Sequence, residues 1–276
     1  MKLKKTKIAL AALLAACTIA TLASCKNDVL SPENGTSSES SSTAPETENS
    51  SPNNSSTETP PPPKPTTQQY IRCTGDNVNL RSGAGKDFTI LGQAEEGTMY
   101  AITGKIGNWY QTYYRGKTAY IYTEYATVFT LPISQNQETE EVLEEAYKHI
   151  GVPYVYGAVR LHDGKGKLLK GFTSQKFDCS SLVQYVYYKA SGTLLNTTTR
   201  TQVTQGRYVK RSELQRGDCI YFTNESRQHL SGVERVGHVA IYLGNNYILH
   251  TASDYARIEK MSNKRWNFYI EARRFI

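Results

Sequence analysis

The stretch Phe-Asp-Cys-Ser-Ser-Leu-Val-Gln-Tyr-Val-Tyr-Tyr at residues 177–188 carries the clearest structural signal in the chain. Apolar residues recur there at helical spacing, at positions 182, 183, 186, 187 and 190. Asp178 and Ser180 stand where a helix is capped, which predicts that Cys179 lies on the first turn. A helix N-terminus and a nearby imidazolium lower the pKa of a thiol, so we expect Cys179 to ionise and act as a nucleophile. The alternative is a buried cysteine that packs as a small hydrophobe.

Two of the five histidines flank a predicted β-hairpin downstream of this helix. The two strands are joined by Gly244-Asn245-Asn246, a favourable hairpin turn. His238 and His250 lie twelve residues apart, an even number, so they share a face of the hairpin if the register holds. A cysteine nucleophile needs a base, and the base needs an orienting partner on its other nitrogen. The pair is therefore predicted to act as the base for Cys179 and its orienting partner. A helix followed by antiparallel strands indicates an α+β domain.

Residues 70–130 alternate short aromatic and apolar runs with turn clusters. Five or six short strands at this spacing predict a small all-β barrel. The motifs of this segment resemble those of the bacterial SH3-like domain, among them Asn79-Leu80-Arg81-Ser82-Gly83, Trp109-Tyr110 and Gly116-Lys117-Thr118-Ala119-Tyr120-Ile121. The resemblance implies a domain that binds wall peptides or packs beside a catalytic domain and shapes its groove.

The N-terminal residues are typical of an export signal, because lysines precede an apolar run at 8–23 that is too short for a stable membrane span. The run ends in Leu22-Ala23-Ser24-Cys25, which resembles the bacterial lipoprotein box. The resemblance implies removal of a signal peptide at residues 1–24 and acylation of Cys25, which would anchor the protein to a membrane. An ordinary secretory signal is the alternative. Residues 25–69 are rich in Ser, Thr and Pro and are expected to form a disordered tether.

The remaining cysteines and the charge give weaker signals. Cys73 and Cys219 fall in predicted strands of different domains and are expected to be buried single thiols, with a bond between them as the alternative. The formal net charge is +7, and its surplus in the C-terminal domain favours anionic partners such as wall polymers or lipid headgroups. Export argues against nucleic acid. Simple solubility explains the charge equally well.

Motifs across a domain predicted at residues 131–276 resemble, in the same order, those of the NlpC-type cell-wall cysteine peptidases, a papain-like group. They are Tyr154, Asp178-Cys179-Ser180-Ser181-Leu182-Val183, Arg216-Gly217-Asp218, Gly237-His238-Val239-Ala240-Ile241-Tyr242-Leu243-Gly244 and His250. The resemblance implies that Cys179 attacks the substrate, that His238 accepts its proton and that His250 orients His238. It also implies cleavage of the bond between a γ-D-glutamyl group and a diamino acid in peptidoglycan stem peptides, without a metal or other cofactor.

Three further residues take roles from the same resemblance. The hydroxyl of Tyr154 would hydrogen-bond near the thiolate and the oxyanion, while Asp178 and Ser180 would hold the free amino end of the substrate peptide. The chain departs from the family pattern in two ways. Ser181 replaces the usual glycine, and both the segment before the cysteine and the loop before the first catalytic histidine are longer than usual.

The sequence therefore predicts an exported, lipid-anchored cysteine endopeptidase that acts as a monomer on peptidoglycan or muropeptides. Two alternatives remain open from the sequence. One keeps the same three catalytic side chains in an amidase or acyltransferase, and the other is a non-catalytic, lipid-anchored protein that binds the wall.

Overall fold

The computed structural model describes residues 65–276. The predicted signal peptide, the predicted acylation site Cys25 and the tether up to residue 64 lie outside the described residues. The first strand, β1, spans Thr67–Cys73 and pairs along its whole length with the last strand of the β domain. This pairing corrects the tether boundary at residue 69, because residues 67–69 belong to the sheet. Their polar Thr-Gln-Gln sequence carries no apolar alternation that would have revealed a strand.

Eight strands form the N-terminal β domain of the described chain. Besides β1 they are β2 (Val78–Arg81), β3 (Ile90–Ala94), β4 (Met99–Ala101), β5 (Gly104–Ile106), β6 (Trp109–Tyr114), β7 (Lys117–Tyr122) and β8 (Ala126–Pro132). They form two sheets, ordered β4-β1-β8 and β3-β2-β7-β6-β5. The sequence predicts five or six strands, and the three-residue β5 is too short to give a recognisable pattern. The predicted domain boundary falls before Leu131, whereas Leu131 and Pro132 end β8, an edge strand where proline is tolerated.

The C-terminal domain places helices against an antiparallel sheet, which confirms the predicted α+β class. Within residues 65–276 its helices are α1 (Gln137–Lys148), α2 (Cys179–Ser191), α3 (Thr199–Gln202) and α4 (Asn263–Asn267). Its strands are β9 (Arg207–Val209), β10 (Cys219–Phe222), β11 (His238–Gly244), β12 (Tyr247–Ala252), β13 (Tyr255–Lys260) and β14 (Tyr269–Arg274). The sheet order is β13-β12-β11-β10-β14-β9, and α2 packs on α1, β11 and β12.

The start of α2 is held by a reciprocal cap. The carboxylate of Asp178 accepts a hydrogen bond from the backbone N–H of Ser181 at 2.9 Å, and the Ser181 hydroxyl oxygen accepts one from the backbone N–H of Asp178 at 2.8 Å. Such a capping box satisfies two backbone donors that a helix start otherwise leaves unpaired. Ser181, the residue that departs from the family pattern, therefore has a structural use that glycine lacks.

The hairpin of β11 and β12 has the predicted turn. Asn245 and Asn246 have positive φ angles of 49° and 67°, as a two-residue hairpin turn of the favoured hand requires. Ile241 pairs with Leu249, and the register shifts only near the turn. Continued along the strands, that register places His238 and His250 diagonally on one face of the sheet, as the even spacing predicts.

The two domains share one hydrophobic core and a buried polar network. Arg216 donates hydrogen bonds to the Tyr70 hydroxyl of β1 and the Tyr147 hydroxyl of α1, both at 2.9 Å. Its guanidinium also forms a two-pronged pair with Glu140 of α1, at 2.7 and 2.9 Å. The ring of Phe129 in β8 stacks on Tyr247 with centroids 5.0 Å apart, so the β domain is packed firmly against the sheet that carries the histidines.

Candidate active site

Cys179 and His238 line the same cavity. Cys179 opens α2 and is 9% exposed, while His238 opens β11 and is partly exposed. The cavity has a volume of about 770 Å³ and is also lined by Tyr154 and Glu259. The backbone N–H groups of Ser180 and Val239 hydrogen-bond to the Cys179 sulfur. Because Val239 follows His238 in the chain, this contact brings the start of β11 to the first turn of α2.

The two predicted histidines are hydrogen-bonded to each other, and a glutamate extends the chain. The Nε2 atom of His238 lies 2.8 Å from Nδ1 of His250, and Nε2 of His250 lies 3.1 Å from the Glu259 carboxylate. Arg265 donates to both carboxylate oxygens of Glu259 at 3.0 Å. The predicted proximity of the rings is confirmed. Glu259 and Arg265 were missed, because the sequence analysis assigned no strand beyond residue 250, although the alternation in β13 would have revealed one.

The ionisation of Glu259 determines the tautomer of both rings. Burial raises its pKa, but the hydrogen bond with His250 and the charge of Arg265 outweigh burial and hold it at about 2. An ionised carboxylate only accepts hydrogen bonds, so Nε2 of His250 carries a proton. Neutral His250 then accepts at Nδ1, and His238 must donate from Nε2. The Nδ1 atom of His238 is left as a bare acceptor, which is the form a general base requires.

Both rings are neutral at pH 7. Desolvation lowers the pKa of His238 well below its ordinary value, and neighbouring His250 lowers it further. Burial also lowers the pKa of His250, although the carboxylate of Glu259 opposes this shift. The hydrogen-bonded chain therefore holds His238 ready to accept a proton.

The structure corrects the expectation that the Cys179 thiol ionises easily. Burial raises its pKa to about 12, and the Asp178 carboxylate raises it further. The N–H groups of Val239 and Ser180 act in the opposite direction but do not compensate. The positive end of the helix favours the thiolate, but burial and the anionic cap beside the thiol oppose its ionisation. The resting site is thus a neutral thiol next to a neutral imidazole.

Tyr154 lines two cavities, the 770 Å³ cavity and a second one of about 500 Å³, and Cys179 also lines both. A bridge to Phe177 and a hydrogen bond from its backbone N–H to the Asp254 carbonyl at 2.8 Å fix its position. Burial raises the pKa of its hydroxyl to about 12, so the group is a protonated hydrogen-bond donor at pH 7.

Asp178 and Ser180 lie beside Cys179, but their side chains contact the chain itself. Arg160 forms an ion pair with the Asp178 carboxylate at 2.8 Å and donates to the Ser180 hydroxyl at 2.9 Å. Arg160 is not predictable from the sequence, since the loop that carries it gives no periodic signal. Cys73 and Cys219 are buried free thiols in the structure, as predicted.

No metal centre is evident in the part of the chain that the structure describes, where no three His, Cys, Asp or Glu side chains converge as ligands. Between residues 65 and 276, none of the helices has the length and apolar character needed to cross a bilayer.

Three curated relatives are similar to part of this chain. The gamma-DL-glutamyl hydrolase of Bacillus subtilis is 33% identical over 126 residues, which cover 45% of this chain and 26% of that protein. The peptidoglycan DL-endopeptidase CwlO of Bacillus licheniformis is 36% identical, over 37% of this chain and 22% of its own. The peptidoglycan endopeptidase RipB of Mycobacterium tuberculosis is 30% identical, over 44% and 46% respectively. The chain spans less than half the length of each of these relatives.

Models of two protein families match consecutive parts of the chain. The NlpC/P60 family matches residues 151–274, which include the cysteine, both histidines and Glu259. The bacterial SH3 domain matches residues 76–127, within the eight-stranded β domain. The chain therefore contains an NlpC/P60 domain preceded by a bacterial SH3 domain, as its motifs predict.

Proposed function

We propose that this protein is a cell-wall cysteine endopeptidase that hydrolyses peptidoglycan stem peptides at the bond between a γ-D-glutamyl group and a diamino acid. The observation that carries the proposal is the chain of hydrogen bonds from Glu259 through His250 to His238, which leaves Nδ1 of His238 as an acceptor in a residue that lines the same cavity as Cys179. The names of the relatives, a gamma-DL-glutamyl hydrolase and a peptidoglycan DL-endopeptidase, support the substrate class.

In the first step, Nδ1 of His238 takes the thiol proton as the Cys179 sulfur attacks the γ-carbonyl carbon of the substrate. Because thiol and imidazole are both neutral at rest, proton transfer accompanies attack rather than preceding it. The oxyanion receives hydrogen bonds from the backbone N–H of Cys179 and from the Tyr154 hydroxyl.

The tetrahedral intermediate collapses when imidazolium His238 returns its proton to the departing amine of the diamino acid. The C–N bond breaks, and a γ-glutamyl thioester remains on Cys179. Water then enters, gives a proton to Nδ1 of His238 and attacks the thioester carbonyl, which releases the carboxylic acid and restores the thiol. Throughout, the hydrogen bond to His250 stabilises the imidazolium while it exists.

The test is a digestion of purified peptidoglycan and of defined stem peptides by the full chain, with fragments identified by mass spectrometry. We expect free γ-carboxyl and diamino-acid amine ends, and none with Cys179→Ala. Cys73→Ala, which removes a thiol from the core of the β domain, serves as the matched control and should keep the activity. Products cut at another amide or transferred to another acceptor would indicate the amidase or acyltransferase alternative. Wall binding without cleavage would indicate the non-catalytic one.

We also propose that the protein is exported and monomeric, that residues 1–24 are removed and that acylated Cys25 anchors it to a membrane facing the wall. The support is the Leu22-Ala23-Ser24-Cys25 motif together with relatives whose names refer to peptidoglycan. Detergent phase partition of the protein from cells tests the anchor. The wild type should enter the detergent phase, and Cys25→Ala should remain in the aqueous phase. Sedimentation of the detergent-solubilised protein tests the monomer.

A further inference from the structure

The two cavities beside Cys179 correspond to the two sides of the cleaved bond. His238 lines only the 770 Å³ cavity, whereas Asp178, Ser180 and Arg160 line only the 500 Å³ one. Since His238 must reach the departing amine to protonate it, the first cavity receives the amine side of the substrate. The 500 Å³ cavity therefore receives the acyl side, which carries the amino end of the stem peptide.

The one carboxylate beside the nucleophile in this acyl-side cavity is already satisfied by the chain itself. The Oδ1 atom of Asp178 accepts from the backbone N–H of Ser181 at 2.9 Å and from the Ser180 hydroxyl at 3.1 Å. Its Oδ2 atom accepts from the backbone N–H of Gly157 at 3.1 Å and forms an ion pair with Arg160 at 2.8 Å. A carboxylate offers about four lone-pair sites. Three of them accept hydrogen bonds from the chain, and the charge of Arg160 already neutralises the group.

Hydrogen bonds to backbone carbonyls hold the Arg160 side chain in place, and breaking them is unfavourable. Its side chain is only 16% exposed, and Nε donates to the Thr197 carbonyl at 2.7 Å. Its Nη1 atom donates to the Ala158 carbonyl at 2.6 Å, and Nη2 is shared by Asp178 and Ser180. If a substrate ammonium group took the place of Arg160 beside Asp178, the nearly buried guanidinium would lose its carboxylate partner. The loss of that partner is unfavourable in free energy.

The rest of the cavity is also cationic. Arg200 and Arg227 line it, and both form ion pairs with Glu234. The Glu234 side chain is 63% exposed and does not line the cavity. An ammonium group in this cavity would face three guanidinium groups, and the one carboxylate there is already paired with Arg160. An amide in the same place carries no charge and meets no such repulsion.

We propose that this protein selects stem peptides whose amino end is acylated, as it is when the peptide is still attached to the sugar chain of the wall, and that Arg160 determines this selection. Peptides released with a free amino end are poor substrates. The inference rests on the proposed endopeptidase function and deepens it. It also reverses the role that the family resemblance gave to Asp178 and Ser180, which here hold Arg160 instead of a substrate amine.

The test compares L-Ala-γ-D-Glu-diamino acid tripeptides with a free and an N-acetylated amino end, made with both L-lysine and meso-diaminopimelic acid. We expect the kcat/KM of the wild type to be about tenfold or more higher for the N-acetylated peptide, since the free amine would be buried without a partner. Arg160→Gln should free Asp178 to accept an ammonium and reduce the preference by a similar factor. Arg207→Gln removes the same charge from an exposed residue of β9 and should leave the ratio unchanged.

Binding of both peptides to Cys179→Ala, followed by calorimetry, separates this inference from the proposed function. Tighter binding of the N-acetylated peptide supports the inference even if the wild type cleaves neither peptide, a result that would overturn the endopeptidase proposal. Equal binding and equal cleavage of the free and the N-acetylated peptides would overturn the inference and leave the endopeptidase proposal intact. Preferential cleavage of the free peptide by the wild type would do the same. The wild-type comparison remains decisive should Arg160→Gln fail to fold.

Discussion

The Nε2 atom of His238 lies 2.8 Å from the Nδ1 atom of His250, and this hydrogen bond decides which nitrogen of His238 is free to act as a base. The direction of the bond is set one residue further along, where ionised Glu259 accepts from His250 at 3.1 Å. The Glu259 carboxylate thus controls the tautomer of His238, the base that serves the nucleophile.

Replacing Glu259 tests that control. Glu259→Gln removes the obligatory acceptor, so the tautomer of His250 is no longer fixed, and we expect kcat to fall about 10- to 100-fold. The fall in kcat should exceed any change in KM, because Glu259 acts on the reaction through His250 and His238. Glu124→Gln, an exposed residue of the β domain, is the matched control and should behave as the wild type. An unchanged kcat for Glu259→Gln would show that His250 is oriented by other contacts.

The pH dependence of kcat/KM follows from the lowered pKa of His238. A histidine whose pKa lies well below its ordinary value of about 6.5 stays neutral, and able to accept a proton, as the pH falls through that value. We therefore expect the acid limb of kcat/KM to lie well below that value. Circular dichroism at each pH excludes unfolding as the cause. An acid limb centred at 6.5 or above would contradict the desolvated base.

The raised pKa of the Cys179 thiol predicts slow alkylation at neutral pH. Because burial places the pKa at about 12, the thiolate fraction grows with pH throughout the accessible range. The rate of labelling by iodoacetamide should rise about tenfold per pH unit between about pH 7 and 9. Mass spectrometry identifies the labelled residue, and the corresponding label should be absent from Cys179→Ala. A rate that is already constant at neutral pH would indicate a preformed thiolate–imidazolium pair instead.

Tyr154 is predicted to donate to the oxyanion. Tyr154→Phe removes only the hydroxyl, so kcat should fall about 10²-fold with little effect on KM. Tyr208→Phe is the matched control, because Tyr208 is an exposed residue of the edge strand β9 and lines neither cavity beside Cys179. Equal effects of the two substitutions would argue that Tyr154 contributes to the shape of the groove and not to charge stabilisation.

Arg216 is predicted to couple the two domains. It donates to Tyr70 and Tyr147 and pairs with Glu140, so Arg216→Met leaves a partly buried carboxylate without its opposite charge and removes a donor from two buried hydroxyls. We expect the free energy of unfolding, measured in urea, to fall by about 3 kcal/mol. Arg207→Met, at an exposed position of the edge strand β9, should cost far less. A loss no larger than that of the control would show that the apolar interface alone holds the domains.

Local patterns in the chain were sufficient for the elements that carry the nucleophile and the base. Apolar spacing and the cap at Asp178 place Cys179 on the first turn of α2, and the Asn245-Asn246 turn with an even spacing brings His238 to His250. These features depend on interactions between residues close in sequence, so the pattern of a single helix or hairpin is enough to predict them.

Only packing between distant segments decided how the site works. The pKa of Cys179 depends on burial and on the carboxylate that caps its own helix. Glu259 reaches His250 because β13 pairs with β12, and Arg160 reaches Asp178 because a long loop folds back over α2. Burial and the pairing of charges are properties of the assembled fold, since each depends on which remote groups exclude water from a side chain.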